Sequence, residues 1–462
     1  MRLKKKEISG RVNKKLAIQF IRQDLTSFSG LELIKRFFRN IRLNERIREH
    51  LKQCGLKGDY PYYKMIILII GMMLLGIERI SNIAFIKDDP LVKRFCELGN
   101  LPTRYSILRF MKSITDEALR GIIELNSGLV AEQVRKLGLA TLTIDIDGTV
   151  ISSRGMPEMS GKGYNPIKRG AYSYFPLTAY LAQTGHFLKI QNRAGNVHDS
   201  NGSEEFIKEL VAGLRFMLGN KIRLQIRHDS AFFSEKSLFS YEDQRLEYAT
   251  KVPFWRCPLF KQVIARNRHW KRIDSKTSYF FKRMKLGSWE TERQFLFVRT
   301  AVPKKEKGKE IQLDLFSPDD CDYQYSAICT NMNLKAKNLF KFMSGRSAQE
   351  NAIGELKTNF GFDSIPSHSY QANCAFQQFS MMSYNLMNSF QLDAVGYRAL
   401  KKANRKVTRF FANIKFKMIR FLVIGKAGII TKIHGKQVLC LTSNKATESL
   451  YENISKNLDL AA

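Results

Sequence analysis

The spacing of apolar residues changes twice along the chain. Up to about residue 135 they recur at three- and four-residue steps, so that Leu31, Leu33, Ile34, Phe37 and Phe38 fall on one side of a basic stretch, the mark of an amphipathic helix. Further helices are predicted over 62–85 and 105–126, the second preceded by Pro102 and Thr103 as a turn and helix start. After Ala140 the period drops to two. In Thr141-Leu-Thr-Ile-Asp145-Ile-Asp147 the alternation predicts a strand with Leu142, Ile144 and Ile146 on a core face and both aspartates on the other. Strands are also predicted over 174–183, 188–191 and 222–226, with a helix over 204–216. This mixture implies an α/β sheet with helices. Residues 251–325 are rich in aromatic and β-branched residues in short alternating runs, which predicts a β-rich insertion. Helical spacing resumes over 347–359 and 371–390.

Charge narrows the classes of partner. The 462 residues carry 76 Lys and Arg against 42 Asp and Glu, a net +34 that points to a polyanion. Residues 1–50 hold 14 basic against 5 acidic side chains, and the stretch from Ala394 to Thr447 holds 13 basic and none acidic. The first stretch fits either a solvated helical face or a DNA-contacting module, whereas ordinary surfaces mix signs, so nucleic-acid contact is the favoured reading of the acid-free stretch. Seven cysteines without a Cys-x-x-Cys pair suit a reducing compartment and give no support for structural zinc. The longest apolar run, 65–77, is shorter than the roughly twenty residues of a membrane span. No membrane is expected, and a cytoplasmic location is.

The sharpest chemical signal is Asp145-Ile-Asp147-Gly148-Thr149 at the end of an apolar strand. Aspartates from separate elements hold paired divalent ions in phosphodiester chemistry, and Mg²⁺ takes such hard oxygen donors. The pentapeptide also resembles the haloacid-dehalogenase type of phosphohydrolase, which implies Asp145 as nucleophile and Asp147 as general acid. Further carboxylates stand at Asp229, which ends a predicted strand, and at Glu350 near a helix start. Each has a structural alternative: Asp229 or Ser230 as cap of a helix beginning at Ala231, and Glu350 as partner of Ser347 in a capping box. Arg346, Glu350 and Lys357 have the spacing to share one helix face.

Several spaced motifs in order carry a wider resemblance. They are Ile144-Asp-Ile-Asp-Gly-Thr149, Gly163-Tyr-Asn-Pro166, Ile226-Arg-His-Asp-Ser-Ala-Phe-Phe233, the stretch from Tyr325 to Met332, and Gly345-Arg-Ser-Ala-Gln-Glu350 running into Ile353 and Lys357. With the stretch from Ala375 to Leu386 and the tail from Arg405 to Leu441, the chain resembles bacterial insertion-sequence transposases of the DDE class. The matching branch has a ribonuclease-H-like core interrupted by a β-strand insertion. Met343 stands where the branch has a tyrosine.

The resemblance implies a helical N-terminal DNA-binding region over 1–135, a ribonuclease-H-like catalytic domain split into 136–250 and 326–392 by the insertion 251–325, and a basic C-terminal region over 393–462. It implies Asp147, Asp229 and Glu350 as catalytic and metal-binding residues, supported by Asp145, Arg346, Lys357 and His228. It implies two Mg²⁺ ions, with Mn²⁺ able to substitute. Candidate DNA-contacting residues are Tyr164, Asn165, Arg169, Trp289, Arg405, Lys406, Lys415 and Lys417. The implied partners are double-stranded DNA with terminal inverted repeats, target DNA and a second copy of the chain, on the bacterial nucleoid. The alternatives are a catalytically inactive DNA-binding derivative and the phosphohydrolase using Asp145.

Overall fold

The two-residue period that starts at Thr141 becomes a strand in the computed structural model, which describes residues 18, 24–56, 58–198, 200–287, 289–302, 322–396 and 414–461. In chain order the strands are β1 (Leu25–Thr26), β2 (Thr141–Gly148), β3 (Ile151–Ser152), β4 (Gly161–Lys162), β5 (Tyr172–Tyr174), β6 (Leu177–Leu181), β7 (His186–Gln191) and β8 (Arg223–His228). They continue as β9 (Glu247–Lys251), β10 (Lys271–Arg272), β11 (Thr277–Met284), β12 (Arg293–Ala301), β13 (Tyr323–Thr330), β14 (Gly428–Ile433) and β15 (Lys436–Leu441). Nine form one sheet in the order β10-β11-β12-β13-β9-β8-β2-β6-β7. Strand β6 is antiparallel to β2 and β7, while β8 is parallel to β2 and β9 to β8. The parallel steps need crossover connections, supplied by the helices Ser203–Leu218 and Glu235–Asp243. The stretch β7-β6-β2-β8-β9 is the ribonuclease-H-like core.

The basic β-rich stretch widens this sheet. Strands β13, β12, β11 and β10 add antiparallel beyond β9, and the segment also contains a helix, Leu259–Arg266, that the alternating pattern did not announce.

Breaks in the predicted elements have local causes. The strand expected over 174–183 is split into β5 and β6 around Pro176, which has no N–H for the ladder. The helix expected over 62–85 ends at Leu74, just before Gly76 takes φ +83°, and a 3₁₀ turn, Ile80–Phe85, follows. The helix expected over 105–126 is two, Arg104–Lys112 and Asp116–Leu137, the second capped by the Thr115 hydroxyl, which accepts from the Ala118 N–H at 3.2 Å.

The two faces of β2 behave as its alternation predicts. Leu142, Ile144 and Ile146 are fully buried in one apolar cluster with Phe206, Ile207 and Leu210 of the first crossover helix. The opposite face, with Asp145 and Asp147, receives the helices Ala336–Ser344 and Ser347–Phe360. A second cluster surrounds the long helix Tyr370–Val395, buried along most of its length, and includes the N-terminal helices Leu31–Asn40 and Tyr62–Leu74 and the last helix, Lys445–Ala461. The two ends of the chain meet there, with β1 pairing antiparallel to β14. The apolar run at 65–77 lies mainly in the buried Tyr62–Leu74 helix, and among the described residues no helix is long and apolar enough to cross a membrane.

Candidate active site

The parallel pairing of β2 with β8 brings two carboxylates to one end of the sheet. Register sets Asp145 opposite Arg227 and Ile146 opposite His228, so Asp147 and Asp229 follow side by side. Strand β8 ends at His228, and Asp229 caps the short 3₁₀ turn Ser230–Phe232 by accepting the Ser230 N–H at 2.7 Å. Asp229, not Ser230, is therefore the cap, of a 3₁₀ turn and not of a helix from Ala231, and it uses only one of its oxygens for this. The expected capping box at Ser347 does not form: the helix Ser347–Phe360 has no side-chain cap, and the Ser347 hydroxyl donates to the Ser344 carbonyl at 3.2 Å. Glu350 is thereby left to the carboxylate group.

Arg346 ties the three together. Its Nη1 donates to Asp147 Oδ2 at 3.0 Å, and its Nη2 donates to Asp229 Oδ2 at 3.3 Å and to Glu350 Oε1 at 2.8 Å. Its side chain is 9% exposed, against 24% for Asp147, 38% for Asp229 and 59% for Glu350, so the cation is the inner member and the carboxylates open outward. Burial works against the Arg346 charge, but Asp147, Asp229 and Glu350 outweigh it and hold its pKa above the ordinary value. Three carboxylates on one guanidinium leave a formal excess of two negative charges. Carboxylate oxygens are the donors that Mg²⁺ takes, so the chemistry of the set fits a hard divalent cation. Among the described residues, no three His, Cys, Asp or Glu side chains are grouped closely enough to hold a metal ion.

The supporting residues divide into those at this cluster and those beside it. Asp145 has no exposed surface, and both its oxygens accept from Arg227, with Nη2 to Oδ2 at 2.7 Å and Nε to Oδ1. Burial pushes its carboxyl up, against the pull of Arg227. An attacking Asp145, as the phosphohydrolase resemblance implies, has no surface on which to meet a substrate. His228 is also fully buried, between Phe232 and Tyr241, and burial lowers its pKa to about 4. Its Nδ1 lies 3.0 Å from Thr250 Oγ1, while Nε2 has no partner among the described residues. Lys357 points away from the carboxylates and donates to the Val150 carbonyl at 2.8 Å; burial lowers its pKa.

Of the residues predicted to meet DNA, Tyr164 is 84% exposed and Arg169, Lys415 and Lys417 are exposed. Asn165 is buried and holds a turn: its Oδ1 accepts from the Lys168 N–H at 2.9 Å and its Nδ2 donates to Ser152 Oγ at 2.9 Å. Trp289 is half-buried, with its ring against Phe233 and the Arg293 guanidinium. Trp255 is the most exposed tryptophan, at 59%. Arg405 and Lys406 lie outside the described residues.

Sequence reasoning missed Arg227 and Gln349. The Gln349 Nε2 donates to the Asp145 carbonyl at 3.1 Å and to Thr178 Oγ1 at 3.1 Å, tying the helix that carries Glu350 to β2 and β6. A signal for Arg227 was available, because an arginine inside the strand Leu224-Gln-Ile-Arg227-His demands a buried counter-charge, and Asp145 is the matching one.

A search of curated proteins finds no match. Among solved structures, the chain is similar to a piggyBac transposase in a synaptic complex with hairpin DNA, determined by cryo-EM, with 14% identity, a TM-score of 0.43, and coverage of 93% of this chain and 85% of that one. The model of the family described as Transposase DDE domain group 1 matches residues 9–462. With nearly its whole length matched, the chain belongs to the DDE transposase family, whose members are enzymes that act on DNA.

Proposed function

We propose that this protein binds the terminal inverted repeats of a mobile element, cleaves the DNA ends and joins their 3′-hydroxyls to target DNA, with Asp147, Asp229 and Glu350 as the residues that hold divalent metal. The observation that carries this reading is the convergence of three carboxylates, from β2, the end of β8 and a helix more than one hundred residues further on, upon Arg346. When bound, Mg²⁺ or Mn²⁺ supplies activation of the attacking oxygen and charge stabilisation at the leaving oxygen.

The chain's own residues supply the rest. The three carboxylates stand outward of Arg346, on the side from which a phosphodiester approaches. With metal on the carboxylates, Arg346 would be free to donate to a phosphate oxygen, a partner its planar donors fit equally well. Lys357, held on the Val150 carbonyl, fixes the segment that follows Asp147. Tyr164, Arg169, Lys415 and Lys417 offer exposed donors and one aromatic ring to the backbone and bases, while Asn165 sets the turn beneath Tyr164. Trp289 acts from within its Phe233 and Arg293 packing. Asp145 and His228 support the site from beneath. In this reading two copies pair two ends, and the regions 1–135 and 393–462 flank the split catalytic domain as DNA-contacting parts, working in the cytoplasm on the nucleoid.

The test is strand cleavage by the purified full chain on DNA carrying the element's own ends, with and without Mg²⁺, for wild type and Glu350→Gln. Metal-dependent cleavage at the element boundary by wild type alone is the expected result. Cleavage retained by Glu350→Gln removes that residue from the site, and binding without cleavage by either protein turns the reading to an inactive DNA-binding derivative.

A further inference from the structure

We infer that Arg227 is a positioning residue: together with Asp145 it forms a buried brace that sets where Arg346 and Glu350 enter the carboxylate cluster. This inference rests on the active-site reading above. Arg227 spends its guanidinium on two elements at once. Nε and Nη2 bind the Asp145 carboxylate on β2, and Nη1 donates to the Phe342 carbonyl at the end of the helix Ala336–Ser344, whose aromatic ring lies 5.0 Å from the guanidinium carbon. Three residues separate Phe342 from Arg346. The brace therefore grips the chain immediately before the helix that carries Arg346 at its cap and Glu350 in its first turn.

Gly345 shows how closely this grip is fitted. A β-carbon there would lie 2.6 Å from Arg227 Nη1 and 3.3 Å from the Phe342 carbonyl oxygen. Its backbone is ordinary right-handed helix, φ −67° and ψ −11°, so the fold asks for glycine here on grounds of space and not of conformation. Gln349 makes a second attachment, from the residue before Glu350 to the Asp145 carbonyl. The helix start is thus held at two points around one buried aspartate. None of these groups is placed to touch DNA, so the brace acts through the position of Arg346 and Glu350 alone. Misplacement of a reacting constellation by about 1 Å can cost on the order of a hundredfold in rate.

Gly345→Ala tests this without removing either charge. Gly354 provides the control, because it lies on the helix that carries Glu350 and a β-carbon there meets nothing within 4 Å. The full chain carrying each substitution is compared with wild type for thermal unfolding, for binding to DNA with the element's ends, for Mn²⁺ binding to the free protein by electron paramagnetic resonance, and for cleavage across a Mn²⁺ titration. Gly345→Ala is expected to stay folded and bind DNA as wild type does, to bind Mn²⁺ more weakly, and to lose roughly tenfold or more in cleavage at low metal, with part of the loss recovered at saturating metal. Gly354→Ala is expected to match wild type throughout. Wild-type Mn²⁺ binding and cleavage in Gly345→Ala overturn the inference, as does a cleavage loss that tracks the unfolded fraction at every metal concentration. If wild type itself neither binds Mn²⁺ nor cleaves, and Glu350→Gln matches it, the active-site reading falls and the inference falls with it.

Discussion

Asp145 and Asp147 leave the same face of β2, two residues apart, yet one stands in a closed, dry pair and the other in a partly open cluster. Asp145 has one carboxylate matched to one guanidinium and no exposed surface. Asp147 shares a single guanidinium with Asp229 and Glu350 and keeps about a quarter of its side chain in solvent. The first centre is balanced in charge and is satisfied by the fold itself. The second sets three carboxylates around one guanidinium and opens to solvent, where a cation from outside can reach it. The difference teaches that charge balance and access to solvent, more than residue type, separate a supporting aspartate from a reactive one.

Removing one carboxylate from each centre separates them most strongly. Asp145→Asn leaves Arg227 buried without its counter-charge and is expected to destabilise the fold by about 3–5 kcal/mol. Asp147→Asn relieves repulsion at a partly solvated site and is expected to change stability by less than about 1 kcal/mol while abolishing metal-dependent cleavage. Chemical denaturation of the two variants, alongside the cleavage assay, checks both halves. Equal stability losses would break the comparison.

The cations give a smaller effect with a sharper sign. Arg346→Met leaves three carboxylates facing one another and is expected to lower stability by about 1–3 kcal/mol at low salt. Mn²⁺ is expected to restore it, because the cluster opens to solvent. Arg227→Met also destabilises, but no added cation reaches Asp145. Melting temperatures of both variants with and without Mn²⁺ decide the matter, and rescue of Arg227→Met would show that the inner pair is not closed.

Acid acts elsewhere in the molecule. His186 is fully buried between Thr184 and Ser389, and burial lowers its pKa from 6.5 to about 3. The unfolded chain therefore binds this proton first, so the stabilising contribution of the neutral ring is present above pH 6.5 and is lost as the pH falls toward 3. Unfolding free energies between pH 7 and 4 are expected to fall less steeply in His186→Gln than in wild type, with DNA binding unaffected at neutral pH.

Much of the candidate site was legible because it is written in local spacing. The alternation of Ile144, Asp145, Ile146 and Asp147 set both aspartates on one strand face, and the four-residue step from Arg346 to Glu350 predicted their contact. That Arg346 also reaches Asp147 and Asp229 was not legible. Those partners are 199 and 117 residues away, and only the sheet order brings them near. Lys357 fails in the opposite sense. It shares a helix face with Glu350, but two helical turns, about 10 Å, carry it past the carboxylates to Val150. The mixed α/β sheet was readable from its strand and helix alternation, while its ribonuclease-H-like form was implied only by the family resemblance. The joining of the inserted strands to the same sheet was not, since pairing across β9 and β13 depends on hydrogen bonds that leave no periodic mark.

The pairing of β1 with β14 also bears on how the protein is made. Ser29 and Gly30 give their backbone N–H groups to the carbonyls of Lys426 and Ile424, and Gly30 lies too close to Val423 to carry a side chain. During synthesis at about 5–20 residues per second, the first of these segments waits roughly 20–80 s for the second to leave the ribosome. Its helices spend that interval without the apolar partners that the end of the chain provides. A chain that stops short of Lys415 therefore forfeits the closure of its helical core, so that residues near 25 and near 428 become ordered together or not at all.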